Sequence, residues 1–403
     1  MDILCLMGLF PDEYREEIEK NSKCGMQNAA DKLQRSIVDG LDQIDGINIR
    51  IANAPYVGAY PRLYRKARIP SFPFRYAAEV EAQNIGFCNI AGIKWVSRYF
   101  RIRKFIKKWA EASSDSSKIL LVYALTTPFA NVAGYIKRKY PHVKVCFVVP
   151  DLPDYMNVAE MEKKGLYYFL KSAEIRMIRR CIRHCDGYVF LTDAMKEWFD
   201  RPVRYVVVEG MSSQSDALSS DSVKKNRIIY AGGIKAEYGV LDMAKAFRNV
   251  CRNDWELVIY GDGADMAALQ EIAKECPHIV LKGRVPNGEV ISAQREASVL
   301  INPRKNQLFA KYSFPSKVIE YMSSGTPMMA YKLDGIPDEY DEYYYLIEDK
   351  ENGLEDAFER VMSQKPETLA EDGRKAAVFI SENKNALAQC SRIVTMLREI
   401  VNE

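Results

Sequence analysis

The 403-residue sequence contains only three histidines, and its nine cysteines are irregularly spaced. An odd cysteine count without a regular framework argues against a disulfide-stabilised secreted fold and favours a reducing compartment. The one group with ligand-like spacing, Cys181, His184 and Cys185, lacks the second pair that a four-ligand zinc site needs. We therefore expect these thiols to pack against helices and not to bind zinc.

The sequence also lacks a membrane-spanning run and a secretory leader. Its longest apolar stretch, near 119–134, is broken by polar residues and by Pro128, so it is too short and too polar to cross a bilayer. Met1 leads directly into Asp2 and a short strand pattern without a basic segment. These absences predict a cytoplasmic protein.

Strand-like and helix-like segments alternate along most of the chain. The strand-like runs are almost continuously apolar, which is typical of strands buried on both faces. They lie at 2–7, 47–52, 119–124, 143–149, 188–191, 203–208, 227–233, 256–263, 278–283 and 298–303. Helical patterns lie between most of them, for example at about 26–43 and 237–250.

This alternation predicts an α/β fold with parallel, doubly wound, Rossmann-like sheets. The chain is too long for one typical domain, and the Ser- and Asp-rich segment 210–225 is typical of a linker. We predict domains at 1–209 and 226–382 that face each other across a cleft. A final helix within 383–403 is expected to pack on either domain. Ligands bind at the carboxyl ends of strands in such sheets.

The charge is unevenly distributed, although the net charge is only +3. Residues 1–205 contain 33 basic and 23 acidic residues, whereas the remainder contains 24 basic and 31 acidic residues. Such asymmetry favours an anionic partner for the basic half.

A glycine pair in the second half has the placement of an anion-binding loop. Gly232 and Gly233 follow a strand and precede a helix, where glycine lets backbone N–H groups approach a phosphate closely. Lys235 adds a positive charge to the same loop. The alternative is an ordinary tight turn.

The segment 312–329 carries a stronger signal. Ser313 is a candidate N-cap and Pro315 suits a first helical turn, so Lys317 is expected near a helix N-terminus that attracts phosphate. Glu320, three residues later on the same face, is suited to accept hydrogen bonds from the vicinal hydroxyls of a ribose. The alternative is a solvated glutamate, but the apolar neighbours of Glu320 predict a largely buried helix, in which the carboxylate needs a partner.

Arg304 follows the strand-like run SVLINP, at a position that favours contact with a ligand. Its guanidinium is suited to hold a diphosphate oxygen through two hydrogen bonds. The alternative is a surface charge pair formed by Arg304 and Lys305.

The second half as a whole resembles the donor domain of family 4 glycosyltransferases. The matching stretches, in order, are YAGG…YGV, VIYGDG, KGRVPNGEV, INPR and FPSKVIEYMSSGTP. The resemblance implies a GT-B fold, a nucleotide-sugar donor, retention of anomeric configuration and no metal requirement. It also implies nucleobase contact at Arg284 and Val285, ribose contact at Glu320, and donor contacts from Ser316 and Lys317 of the F-P-S-K subgroup.

The second half departs from the family pattern at three positions. The first of the family's paired glutamates would fall on Tyr312, and its usual Arg and Lys fall on Gly233 and Tyr238. Lys317 and Arg304 are the replacement cations that the resemblance suggests.

The first half resembles the family less. Gly25, in CGMQNAADKLQRSIVDGL, matches a family glycine near the donor phosphate and acceptor, and Pro150 stands at a position where many members have histidine. Asp151, which follows a buried strand, is the candidate catalytic carboxylate, with Asp154 second. The alternative for Asp151 is a cap or turn residue. A histidine general base is poorly supported.

Residues 94–109 form the most amphipathic segment of the chain. Trp95 and four further apolar residues recur at helical spacing beside a basic stripe of Lys94, Arg98, Arg101, Lys104 and Lys108. This pattern suits an anionic membrane surface, and PRLYRKARIP at 61–70 adds cations. The alternative is a core helix with one solvated face.

Together these features predict a retaining glycosyltransferase that uses a nucleotide diphosphate sugar, with UDP as the expected nucleotide. The expected acceptor is a saccharide, lipid-linked and presented at the inner face of the membrane, in surface polysaccharide synthesis. Open alternatives are a non-catalytic nucleotide-binding subunit of a glycan-assembly complex and a GT-B nucleotide-sugar epimerase or phosphorylase. No nucleic-acid module is present in the sequence, so nucleic acid is not expected as a partner.

Overall fold

The computed structural model describes residues 1–77, 80–113, 116–154, 166–212, 224–307 and 310–403. They form two compact units, one of Met1–Met211 with Ala386–Glu403, the other of Ser212–Asn385. Most of the predicted linker, residues 213–223, lies outside the described residues.

The first unit is built on an eight-stranded sheet and a separate strand pair. The strands are β1 (Asp2–Met7), β2 (Asn48–Asn53), β3 (Arg68–Ile69), β4 (Phe72–Arg75), β5 (Glu81–Asn84), β6 (Phe87–Cys88), β7 (Lys118–Tyr123), β8 (Lys144–Val149), β9 (Gly187–Phe190) and β10 (Tyr205–Val207). The strand order in the sheet is β10-β9-β8-β7-β1-β2-β5-β4. Neighbouring strands are parallel except for the edge pair β4 and β5, and the separate antiparallel pair joins β3 to β6.

Helices connect these strands. They are α1 (Asp12–Asn21), α2 (Asn28–Asp42), α3 (Lys94–Glu111), α4 (Thr127–Lys139) and α5 (Leu166–Ile182). β1 and β7 are buried along their whole length, as their unbroken apolar runs predict.

The second unit has a fully parallel sheet of the strands β11 (Lys225–Ala231), β12 (Glu256–Tyr260), β13 (Ile279–Gly283), β14 (Ala297–Asn302), β15 (Met328–Tyr331) and β16 (Tyr345–Ile347). Their order in the sheet is β13-β12-β11-β14-β15-β16. Its helices are α6 (Val240–Val250), α7 (Met266–Lys274), α8 (Asn287–Glu296), α9 (Lys317–Ser323), α10 (Gly353–Met362) and α11 (Pro366–Asn383). The predicted doubly wound parallel architecture is confirmed in both units.

The last helix, α12 (Ala386–Asn402), packs on α2 within the first unit. Gly40 allows the close approach, because a Cβ there would lie 2.3 Å from the carbonyl oxygen of Ala386. The buried Gln389 side chain donates to the Glu209 carboxylate at 2.9 Å and so ties α12 to the segment after β10.

Two local predictions in the second unit are corrected by the structure. The helix expected at about 237–250 is present as α6 but begins only at Val240, because Gly239 takes a left-handed conformation (φ +76°) after a short 3-10 turn. Ser313 is not an N-cap, since its N–H is bonded to Ala310 and it ends a preceding turn. Helix α9 begins at Lys317 instead, leaving Pro315 outside it.

The structure of the basic helix α3 corrects the prediction that its whole basic stripe is exposed to a membrane. Ile102, Ile106 and Trp109 are core residues. Arg98 is also buried, donates to the Ala54 carbonyl at 2.7 Å and is surrounded by aromatic rings, so it is not part of a basic surface. The desolvation that accompanies this burial lowers the pKa of Arg98 to about 10. The exposed members of the predicted surface are Trp95, Arg101, Lys104 and Lys108.

Within the described residues, no helix has both the length and the apolar character needed to span a membrane. The thiol of Cys181 donates to the Asn131 amide oxygen, and Cys185 is buried.

Candidate functional site

A cavity of ≈ 460 Å³ lies at the carboxyl ends of β11, β12 and β13 in the second unit. Its walls come from the loops after these three strands, from the start of α8 and from α9. The lining residues are Ala231, Gly232, Gly233, Tyr260, Gly261, Asp262, Gly263, Gly283, Arg284, Val285, Asn287, Val290, Lys317 and Glu320. The cavity therefore occupies the edge where parallel sheets bind ligands.

Glycines let two of these loops interlock through their backbones. Gly261 has φ +136°, and a Cβ there would lie 1.8 Å from the carbonyl oxygen of Gly232. A Cβ at Gly263 would lie 2.2 Å from the carbonyl oxygen of Ile234. The N–H of Gly232 donates to the backbone carbonyl of Tyr260 at 2.9 Å, and the N–H of Ile234 donates to the backbone carbonyl of Asp262 at 3.0 Å. A side chain at either position would push the loops apart, so glycine is required here.

Helix α9 brings a cation and a carboxylate to the cavity. Its buried residue Tyr321 meets β11 at Ala231, whose N–H donates to the tyrosine hydroxyl at 3.1 Å. Lys317, one turn earlier, runs beside the glycine loop, with its Cε 3.3 Å from the place of a Cβ at Gly232. The Lys317 ammonium and the loop backbone thus converge at one end of the cavity, an arrangement suited to a phosphate.

The Glu320 carboxylate has a defined partner. The buried Gln294 side chain, on α8, donates from Nε2 to Glu320 Oε1 at 2.9 Å. The backbone carbonyl of Gln294 accepts a hydrogen bond from Thr326 Oγ1 at 2.8 Å, which joins α8 to the turn after α9. Lys224 donates to the same hydroxyl at 2.6 Å, and burial lowers the pKa of Lys224 to about 8. Glu320 is held by one oxygen and faces the cavity.

The structure brings Gly232, Gly233, Arg284, Val285, Lys317 and Glu320 together around this cavity. The three other predicted donor residues of the second unit do not line it. Lys235 is paired with Glu237 at 3.2 Å, and Arg304 lies over the Tyr238 ring at 5.7 Å from its centre. Ser316 is exposed just before α9.

Sequence reasoning left out several lining residues. Tyr260, Gly261 and Asp262 belong to the strand-end run IYGDG, whose glycines were an available signal. Gln294, which contacts the lining residue Glu320, could not be predicted, because no pattern in the sequence around it indicates a partner 26 positions away.

Three predicted residues, Gly25, Asp151 and Asp154, belong to the first unit. Asp151 follows β8 and is accessible to solvent, yet the protein around it raises the pKa of its carboxyl above the ordinary value by desolvation. Asp154 accepts a hydrogen bond from the Trp198 indole, which gives it a structural role. Gly25 is exposed in the loop before α2, where a Cβ would meet no atom within 4 Å.

The second unit, which contains this cavity, matches a known sequence family. Residues 225–364 match the sequence family described as Glycosyl transferases group 1. No curated protein matches the chain significantly.

Several solved structures share the fold over the whole chain. Sucrose-phosphate synthase from Thermosynechococcus elongatus has a TM-score of 0.66 at 12% identity, covering 100% of both chains. The lipopolysaccharide outer core galactosyltransferase WaaB has a TM-score of 0.61 at 14% identity, covering 99% of both. HepE of Anabaena, in complex with UDP, has a TM-score of 0.61 at 12% identity, covering 99% of this chain and 100% of its own. These likenesses show the GT-B fold, and with the family match they support a glycosyltransferase.

Proposed function

We propose that this glycosyltransferase transfers a sugar from a UDP-sugar to a saccharide acceptor with retention of anomeric configuration, as a member of family 4. The reaction needs no metal or other cofactor. The acceptor is lipid-linked, and the product belongs to a surface polysaccharide. The enzyme works in the cytoplasm, at the inner face of the membrane.

The cavity of the second unit carries this proposal. It combines the glycine-loop backbone with Lys317 at one end and a carboxylate held by Gln294 further along. A nucleoside diphosphate has the matching order of groups. Its diphosphate suits Lys317 and the loop N–H groups, its ribose hydroxyls suit Glu320, and its base suits the backbone at Arg284 and Val285.

In the proposed reaction the bond between the sugar C1 and the β-phosphate oxygen breaks, and the acceptor oxygen bonds to C1 on the same face. The acceptor proton passes to an oxygen of the departing phosphate. Lys317 and the loop N–H groups stabilise the negative charge that develops on the diphosphate. This path requires no histidine base, and Asp151 is the carboxylate available to orient the acceptor.

The choice of UDP is supported by the UDP complex of the Anabaena neighbour. The membrane location is supported by the exposed basic residues Arg101, Lys104 and Lys108 of α3 and by the exposed Trp95 near the start of this helix. A surface with basic and aromatic side chains suits anionic lipid headgroups. In sedimentation with phosphatidylglycerol vesicles, Lys104→Gln/Lys108→Gln should reduce binding; equal binding of parent and variant would remove this part of the proposal.

The nucleotide site is tested by thermal unfolding with UDP, GDP, ADP and CMP. At a concentration a hundred times Kd, binding stabilises the folded chain by about 2.7 kcal/mol. We expect a selective shift with UDP that is lost in Lys317→Ala and in Glu320→Ala. Lys274→Ala, which removes an exposed lysine of α7 that is paired with Glu271, is the matched control and should keep the shift. No shift with any nucleotide would contradict the proposal.

Turnover separates the enzyme from a subunit that only binds nucleotide. Release of UDP from a UDP-sugar should depend on the acceptor and disappear in Lys317→Ala. Binding of UDP without any release, across a panel of UDP-sugars and saccharides, would favour the non-catalytic reading.

A further inference from the structure

A second cavity, of ≈ 780 Å³, lies wholly within the first unit. Tyr14, Lys66, Arg68 and Arg101 contribute to its wall. Lys66 and Arg68 belong to the basic segment 61–70, and Arg101 belongs to α3. Two basic segments that are separate in the sequence thus meet around one concave surface, whose volume lies within the ~300–1,000 Å³ of small-molecule sites.

The cavity lies at the carboxyl-end edge of its sheet. Met7 pairs with Asn53, Asn53 pairs with Asn84, and Asn84 pairs with Phe72 of the antiparallel strand β4. These pairs place the ends of β1, β2 and β5 and the start of β4 at one level. Tyr14 lies in the helix after β1, residues 68–71 lead into β4, and Gly86 follows β5. This is the edge at which such sheets hold their ligands.

Buried side chains hold the wall in place. Asn89 is fully buried and its Nδ2 donates to the carbonyls of Gly58, at 2.9 Å, and Lys66, at 3.3 Å. Asn84 donates to the Pro70 carbonyl at 2.7 Å. A Cβ at Gly86 would lie 2.7 Å from the backbone at Ile69, so the two segments approach as closely as glycine permits. The backbone that carries Lys66 and Arg68 is therefore fixed before any ligand arrives.

The charge around the cavity is positive. Lys66 is paired with Glu17, the one acidic residue of the lining. Arg68 and Arg101 are exposed, and neither has an ion-pair partner among the described residues. Guanidinium groups match the geometry of carboxylate and phosphate, and a nearby tyrosine offers both an apolar ring face and a hydroxyl. Tyr14 is positioned by its edge contact with Phe72, at 5.5 Å between ring centres.

We propose that this cavity binds an anionic group on the acceptor, either a sugar carboxylate or a phosphate next to the sugar, with Arg68 and Arg101 as its ligands. The acceptor is then an acidic saccharide or a saccharide phosphate rather than a neutral glycan. This inference rests on the proposed transferase function and adds the chemical class of its acceptor.

Isothermal titration calorimetry on the full chain tests the assignment at physiological ionic strength. The probes are a hyaluronan tetrasaccharide, which carries carboxylates, geranyl diphosphate, which carries the phosphate group of a lipid carrier, and neutral chitotetraose. We expect at least one anionic probe to bind and chitotetraose to bind at least about tenfold more weakly, because hydrogen bonds to charged groups contribute that much or more. Preference for one anionic probe supports the proposal and identifies the source of the charge.

The variant Arg68→Gln/Arg101→Gln should bind the anionic probe about tenfold or more weakly than the parent protein. The control Arg138→Gln/Lys139→Gln removes the same amount of charge from exposed positions at the end of α4, and its affinity for the anionic probe should equal that of the parent. Equal loss in both variants, equal affinity for chitotetraose, or no binding of either anionic probe would overturn the proposal. The UDP-induced thermal shift, measured on the same samples, reports on the second unit, so failure of the donor site is seen separately.

Discussion

The ligand-binding edges of the two sheets are built by different means. In the second unit, short glycine loops interlock backbone to backbone around Gly232 and Gly261. In the first unit, residues 54–77 and 80–93 form the corresponding edge, and buried asparagine side chains such as Asn84 and Asn89 hold them in place. Backbone contacts between glycine loops join the edge of the second unit, whereas the edge of the first unit needs asparagine side chains in addition to the close approach at Gly86.

This difference explains why one edge is recognisable in the sequence and the other is not. Glycine at a strand end has few alternatives, since a Cβ would collide with the neighbouring loop, so the loop leaves a motif. A buried asparagine that braces a loop leaves no local pattern, because its partners are tens of residues away. Substitutions in and beside the two edges should separate the two kinds of construction.

Gly261→Ala should disrupt the donor edge. The new Cβ would overlap the Gly232 carbonyl, and alanine disfavours φ +136°, so we expect a loss of about 3 kcal/mol or more in the free energy of unfolding. UDP binding should be lost as well. Urea unfolding measures the first effect and calorimetry the second. The control is Gly288→Ala in α8, where a Cβ meets nothing within 4 Å; similar losses in both variants would contradict the interlocked-loop account.

Asn89→Ala should weaken the first unit by about 2 kcal/mol, because two backbone carbonyls lose a buried donor. The effect should appear in urea unfolding, while UDP affinity stays at the parent value because the nucleotide cavity belongs to the other unit. Asn48→Ala, at an exposed strand end, is the control and should change little. An equal loss in the control would argue against the bracing role.

Lys94→Met should stabilise the first unit in a pH-dependent way. Burial lowers the pKa of Lys94 to about 7 from 10.5, so the folded chain binds fewer protons than the unfolded chain between these values. The cost of the buried charge is fully present below about pH 7 and disappears as the pH rises towards 10.5. We expect the variant to have a free energy of unfolding about 1.5 kcal/mol higher than the parent at pH 6, and a smaller difference at pH 9.5, measured by urea unfolding. A difference that does not vary with pH would refute desolvation of the Lys94 charge as its cause. Lys104→Met, which replaces an exposed lysine of the same helix, is the control.

Gln294→Met should have the smallest effect of the four substitutions, and it should lower the affinity for UDP rather than the free energy of unfolding. Glu320 loses the donor at 2.9 Å that orients it, so we expect UDP to bind about fivefold more weakly, a cost of about 1 kcal/mol. The ratio of Kd values for 2′-deoxy-UDP and UDP should also fall, because Glu320 would no longer be aimed at the ribose. Unchanged discrimination would mean that Gln294 only fills space, and Glu320→Gln provides the reference for complete loss.

The arrangement of strands and helices was predictable wherever the apolar runs are long. Strands β1, β7 and β14 are buried along their whole length, and their sequences show it directly. Strands β3 to β6 escaped prediction because they have two to four residues each and lie in a segment interrupted by prolines. Pro73 lies within β4, which is tolerated because β4 is an edge strand.

The predicted membrane stripe shows the limit of periodicity. Residues 94–109 have the spacing of an amphipathic helix, and the helix is present, but its apolar side forms part of the core and Arg98 lies within that core. Periodicity indicates that one face is buried and does not indicate what buries it. A cation in the buried stripe is inconspicuous in sequence, because the aromatic rings and the Ala54 carbonyl that stabilise Arg98 come from other segments of the chain.

The sequence by itself determined the α/β class, the glycine loops and the residues Lys317 and Glu320, because each depends on a local pattern of strand, glycine and helix. Tertiary structure alone decided that Gln294 holds Glu320, that Lys235 pairs with Glu237, and that Arg68 and Arg101 share a cavity. The first and third of these pairings bring together side chains from different segments. In the second, the local fold places Glu237 beside Lys235. Side-chain chemistry is written in the sequence, whereas the distance between side chains is set only when the sheets and helices pack.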